Sequence, residues 1–256
     1  MTDDLHFYKF KPINKWLIES IVQQTIYAPT PSELNDPFDC QIDLERIFRR
    51  AIANANANND QINFIKSFYE NKNFIDNWKA TIKTKGIYSF SLFDKYLSPI
   101  LNEPLMWSHY ADEHKGVCLE YIIPKQYIVE NLMSEDMDNR IVIAGNVEYK
   151  QSSFVDSILT APRHTKEFTE TLLRKYLCTK SPSWKYEQEG RLIMWKSGTI
   201  KLPKESLKSI HFGMRATPSD IDLVKKLATT YSSCNNYYQI VTGDDDYSLN
   251  CEPITD

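Results

Sequence analysis

Apolar and polar residues alternate through Leu5-His6-Phe7-Tyr8-Lys9-Phe10, and a period of two in an aromatic-rich run predicts a strand that Pro12 ends. The period then lengthens: Trp16, Leu17 and Ile21, with Val22 beside them, form one stripe of a helix over residues 14–24. Thr25-Ile26-Tyr27-Ala28 returns to strand character before Pro29 and Pro31. The turn formers of Ser32–Asp39, with Asn35 and Asp36 ahead of Pro37, predict a shaped loop. Residues 43–85 are polar and helical, and the Asn-rich stretch at 54–59 divides them into two segments, a helical insertion. In Gly86–Leu92, Ser89 and Ser91 alternate with Tyr88, Phe90 and Leu92, so a strand with one polar face is expected.

Further on, Leu105–Ala111 reads as a short helix, Gly116–Tyr121 as a buried strand and Val147–Tyr149 as a short one. Phe168, Leu172, Leu173, Tyr176 and Leu177 give residues 163–180 a helical apolar face. An alternating apolar run follows Glu187 and Glu189. Ser209–Gly213 is a strand ending in glycine, and Thr217 with Pro218 opens a helix that buries Ile221, Val224 and Leu227. Tyr237–Val241 supplies a late strand, and the acidic tail after Gly243 is expected to be loose or to fold back as a short edge. Short strands with unevenly spaced helices fit a single α+β domain over residues 1–256 better than a regular βαβ alternation.

Bulk properties narrow the functions available. No apolar run approaches a membrane span, and the acidic start lacks the basic and apolar parts of a signal peptide, so a cytoplasmic protein without a membrane partner is expected. The five cysteines are scattered and never spaced Cys-x-x-Cys, which argues against a disulfide framework or a zinc site and for buried thiols. A net charge of −4 excludes a field that would hold nucleic acid through phosphates alone. Lys83 and Lys85, and the basic run Arg174, Lys175, Lys180 and Lys185, read as solvated surface, with the lining of a cleft as the alternative.

Glu187 and Glu189 are the sharpest chemical feature. Two residues apart at the start of a strand, they would share one face, and like charges held together push one carboxyl upward unless cations meet them. The alternative is a solvated acidic turn partly neutralised by Lys185 and Arg191. Seven glycines and no Gly-x-Gly-x-x-Gly leave Rossmann and phosphate-loop readings poor. His109 and His114 form no His-Glu-x-x-His, and no Gly-x-Ser-x-Gly elbow exists, so neither a metal centre nor a serine nucleophile is expected. Polar and aromatic residues at strand ends remain: Tyr8, Lys9, Tyr27, Ser89, Ser91 and the block Trp107-Ser108-His109-Tyr110. Converging on an acid pair, they would suit a flat, polar ligand, although Trp107 and Trp184 also suit a core.

In order along the chain, Tyr8-Lys9-Phe10, Leu34-Asn35-Asp36-Pro37-Phe38-Asp39, Ser89-Phe90-Ser91, Met106–Ala111, His114–Tyr121, Lys180 with Trp184–Arg191, and Phe212-Gly213-Met214-Arg215 resemble the bacterial family catalogued as domain of unknown function 2971. More remotely, an aromatic-polar first strand, a Ser-bearing middle strand and a late Glu-x-Glu resemble the three-part signature of ADP-ribosyltransferases. That resemblance implies a split sheet with peripheral helices and NAD as substrate, with no metal. It implies Glu189 as the catalytic carboxylate that stabilises an oxocarbenium-like transition state, with Glu187 as the second catalytic residue before it. Tyr8, Lys9, Tyr27, Ser89, Ser91, Trp107, His109, Tyr110 and Arg191 would then contact NAD. Lys9 departs from the signature, which has His or Arg there. A toxin or anti-phage effector is implied, with a protein or nucleic-acid acceptor and an antitoxin or defence-system partner. The alternative is a catalytically silent nucleotide- or protein-binding module of the same fold.

Overall fold

The computed structural model describes residues 4–54, 58–93, 99–137, 140–150, 154–243 and 248–255. The opening strand β1 (Leu5–Lys11) lies deep in the sheet, with Leu5 and Phe7 in one apolar cluster and Tyr8 and Phe10 in another. Helix α1 (Lys15–Gln23) starts where the Asn14 side chain accepts the Trp16 and Leu17 amides at 3.0 and 3.2 Å, and stops where Gln24 turns left-handed into β2 (Thr25–Ala28).

Residues 44–84 form three helices, α2 (Leu44–Ile52), α3 (Asn59–Tyr69) and α4 (Lys72–Thr84), where two segments were expected. The extra break follows from Asn71, whose side chain caps α4 by accepting the Phe74 amide at 3.2 Å. Residues 55–57 of the Asn-rich connection lie outside the described residues, and Asn58 caps α3. These helices build their own apolar cluster around Phe48, Ile65 and Phe168 together with later helices.

The chain continues as β3 (Gly86–Leu92), α5 (Pro104–Tyr110), β4 (Val117–Ile123), α6 (Lys125–Leu132), β5 (Ile141–Asn146), β6 (Glu148–Tyr149), α7 (Phe154–Thr160), α8 (Thr165–Leu177) and β7 (Thr179–Lys180). A 3-10 turn, Pro182–Glu187, leads into β8 (Glu189–Met194), followed by β9 (Gly198–Lys201), β10 (Leu207–Phe212), α9 (Pro218–Tyr231), β11 (Tyr237–Thr242) and β12 (Leu249–Pro253). Of the acidic tail, residues 244–247 lie outside the described residues, whereas β12 pairs with β11 as an edge strand.

The protein is α+β. Its main sheet has eight strands in the order β12-β11-β10-β4-β1-β3-β8-β5, and only β10 and β11 run parallel. Strand β2 pairs with β9 apart from it. The sheet parts in its middle. β1 pairs with β4 all the way from Leu5 to Lys11, but it meets β3 only at Phe7 opposite Leu92 and Tyr8 opposite Ser91. Beyond Tyr8 the strands diverge. The β3 edge takes other partners there: the Pro29 carbonyl accepts the Ile87 amide at 2.8 Å, and Lys9 Nζ donates to the Ser89 carbonyl at 2.6 Å. No helix among the described residues is long and apolar enough to cross a membrane.

Candidate functional site

A cleft of about 220 Å³ occupies the parting between β1 and β3. Its acidic wall is built from β7, the 3-10 turn and β8. Ser181 caps that turn and Pro182 starts it, with the fixed φ that suits a first helical residue. At its end Gln188 adopts a left-handed conformation, φ 47°, and reverses the chain before β8 begins.

Glu187 therefore does not share a strand with Glu189, and the face-sharing expected from their spacing is not how they meet. The reversal brings both to Lys180, whose Nζ lies 2.6 Å from Glu187 Oε2 and 3.2 Å from Glu189 Oε2. Strand alternation operates one step later. Glu189 and Arg191 project from the same face of β8, and Arg191 Nε donates to Glu189 Oε1 at 2.6 Å. The Arg191 guanidinium also forks onto Asp39, with Nη1 at 3.0 Å from Oδ1, and Nη1 reaches the Leu177 carbonyl at 2.7 Å. Asp39 Oδ2 stands 3.9 Å from Lys180 Nζ. Three carboxylates thus face two cations, leaving one formal negative charge in a buried cluster.

The cluster drives its two glutamates in opposite directions. Burial is the largest influence on Glu187 and raises its carboxyl above the ordinary value, against the opposing pull of Lys180 and of the Tyr110 hydroxyl, which donates to Oε1. Burial acts on Glu189 in the same sense, but the Arg191 charge and hydrogen bond, with Lys180 and the Ser89 hydroxyl, outweigh it and hold the carboxyl well below the usual range. Burial alone would lower Lys180, and the surrounding carboxylates reverse this and raise it. Glutamates with divergent protonation in one site can divide acid and base roles.

The opposite wall is β1. Burial, followed by the charge of Lys11, lowers the Lys9 ammonium to about 8. Tyr8 and Ser91 face each other across the point where the strands part, and Ser91 lies opposite Glu189 on the other side of β3. The loop over the cleft is fixed as its composition suggested. The Asp36 carboxylate accepts the Phe38 amide at 2.9 Å, and the Asn35 amide donates to the Tyr110 hydroxyl at 3.3 Å, so a chain of bonds runs from loop to Glu187.

Of the residues singled out by sequence, the fold gathers Tyr8, Lys9, Tyr27, Ser89, Ser91, Tyr110, Glu187 and Glu189 around this cleft. Three stand elsewhere. Trp107 is fully buried in the core, its indole N–H donating to the Leu101 carbonyl at 2.8 Å. His109 is exposed, with Nδ1 2.9 Å from the Tyr186 hydroxyl. Arg191 is wholly buried behind Glu189. Two members went unassigned, Asp39 and Lys180. Both lie within the motifs quoted above, and of the two readings of the basic run it is the cleft lining that holds for Lys180. Cys40, Cys118, Cys178 and Cys234 are buried, and Cys251 is exposed. Among the described residues no group of three or more His, Cys, Asp or Glu could hold a metal ion.

A family model described as "Protein of unknown function (DUF2971)" matches residues 106–192, a span that runs from α5 through the acid pair to β8. No curated protein and no solved structure matches the chain. None of these comparisons points to ADP-ribosyltransferases.

Proposed function

We propose that this protein is an ADP-ribosyltransferase-like enzyme that cleaves the glycosidic bond of NAD and passes ADP-ribose to an acceptor. One observation carries the reading: three strands distant in sequence, β1, β3 and β8, are consecutive in the sheet and bring Lys9, Ser89 and Glu189 to a single cleft at the parting of β1 from β3. The three-part signature implies Lys9 or Tyr8 on the first strand, Ser89 or Ser91 on the second and Glu189 on the third, and all five line the cleft.

The chemistry suits the charges. When the bond from the ribose C1′ to the nicotinamide nitrogen breaks, its electron pair leaves with nicotinamide and positive charge develops on the ribose. Glu189, kept ionised by Arg191 and Lys180, is a fixed negative group for that charge, and such preorganised groups lower barriers without rearranging during reaction. Glu187, whose raised carboxyl brings proton exchange nearer neutrality, takes the proton of the incoming nucleophile as its bond to C1′ forms. An effector role as toxin or anti-phage factor, with an antitoxin or defence partner, belongs to the same reading.

A second reading has its own support. Both oxygens of Glu189 already accept hydrogen bonds, from Arg191 and Lys180, which favours a silent nucleotide- or protein-binding module in which the cluster only stabilises the fold. Incubation with NAD labelled in the adenylate half, alone and with cell lysate, separates the two. Released nicotinamide and a labelled macromolecule support the transferase, whereas saturable NAD binding without release supports the silent module.

A further inference from the structure

The parting of β1 from β3 leads past Lys9 into a second chamber of about 580 Å³, bordered by β1, α1 and β2, which shares Lys9, Tyr27, Pro29 and Glu33 with the acid cleft. This volume is within the roughly 300–1,000 Å³ of small-molecule sites. Lys9 and Lys11, two apart on β1, both line it. Lys11 has no ion pair or hydrogen bond among the described residues, and burial lowers its ammonium from the ordinary value. Two carboxylates also line the chamber. Glu33 is occupied by the Thr30 amide and hydroxyl, each at 2.7 Å, and by Tyr27, while Glu19 is exposed. An unpaired, partly desolvated cation is costly, and an entering anion relieves that cost. Beside the lysines stand two unusually exposed aromatic rings, Trp16 at 61% and Tyr27 at 50%.

We propose that this second chamber binds a nucleoside diphosphate, with the phosphates on Lys9 and Lys11 and the base against Trp16. The two chambers then differ: the acid cleft repels phosphate and suits developing positive charge, whereas the second chamber sets two lysines against two carboxylates and, among the described residues, leaves Lys11 without a partner to meet a phosphate. A molecule that spans both has one orientation available. The choice of ADP as probe rests on the NAD reading, of which it is one half, but its binding requires no bond cleavage.

The test is calorimetric titration of ADP into the full chain at pH 7, below the value of about 8 at which Lys9 loses its proton. One saturable site is expected, weakened at least tenfold by Lys11→Gln and by Trp16→Ala, and retained in Lys11→Arg. Lys226→Gln, an exposed change on α9, should leave it unaltered. Inorganic pyrophosphate should compete and adenosine should compete poorly. Absence of ADP binding by folded wild type, full binding by Lys11→Gln, or equal competition by adenosine would overturn the assignment. Trp16 lies on the surface, so its variant decides the matter if Lys11→Gln does not fold. ADP binding without nicotinamide release from NAD removes the transferase and leaves the chamber. Release without ADP binding removes the chamber alone.

Discussion

Arg191 grips Glu189 from the interior of the sheet, Nε to Oε1 at 2.6 Å, with side chains 0% and 4% exposed. The pair is held against desolvation by Asp39, whose carboxylate takes the far side of the same guanidinium. Glu189→Gln should therefore remain folded, because Asp39 still neutralises Arg191. NAD turnover should fall by about 10²–10³-fold, the usual effect of removing one preorganised electrostatic group. Nicotinamide release at wild-type rate by a folded variant would remove Glu189 from the mechanism.

Glu187 is tied to the cleft wall through Tyr110 and Asn35, a chain that ends on a loop and not in the core. Glu187→Gln should spare NAD hydrolysis more than transfer to an acceptor, since water can react where a poorer nucleophile needs a base. Tyr110→Phe, which removes the bond but leaves the carboxylate, should shift the acid limb of the transfer pH profile. Parallel loss of hydrolysis and transfer in both variants would assign Glu187 a binding role.

Stability should respond to acid in two phases. In the folded protein Glu189 and Glu120 are lowered, the latter by His211, 3.8 Å away, and by a hydrogen bond from His6, so their contributions are complete above the ordinary carboxylate range and vanish as pH falls through the folded values. Glu187 is raised, so the folded state takes up its proton before the unfolded chain does, and acidification through that window adds stability. Calorimetric Tm should hold or rise as pH falls from neutrality toward the ordinary carboxylate range and fall steeply below that range. The Glu189→Gln variant should show a shallower fall. A steady decline from neutrality would contradict the opposed shifts.

Trp107 belongs to the cluster behind the cleft, its ring 5.0 Å edge-on from Phe10 and its N–H satisfied by Leu101. Trp107→Ala should cost about 3–5 kcal/mol by the cavity it leaves, read as a lowered urea midpoint. Asp36→Ala should cost about 1 kcal/mol through the lost loop bond. In both, activity should fail together with the fold as temperature rises. Full stability without activity would instead place Trp107 or Asp36 in contact with ligand.

Much of the fold could be read from periodicity. β1, α1, β2 and β3 stand out by clear changes of period, and Thr217 marks a helix start that the structure confirms as a cap. Elements outside that reading include β9, a short strand whose exposed alternate residues carry little apolar signal, and β5, whose Ile141-Val142-Ile143 run resembles any buried segment. The acid pair was legible as a pair, but its geometry was not. A left-handed Gln188 has no compositional mark, unlike the glycine that usually occupies such a position. Lys180 meets the pair only through the reversal at Gln188, and Asp39 joins the cluster by reaching Arg191 across a long sequence separation, neither of which local pattern encodes.

The parting of β1 from β3 has one more consequence. With the Ile87 amide given to Pro29 and the Ser89 carbonyl to Lys9, two of the β3 groups that could draw β1 across and zip the sheet shut are already engaged. The opening is thus present before any ligand arrives. A molecule entering it need not pry strands apart, and the free energy of its contacts goes to affinity and orientation instead of to deforming the protein.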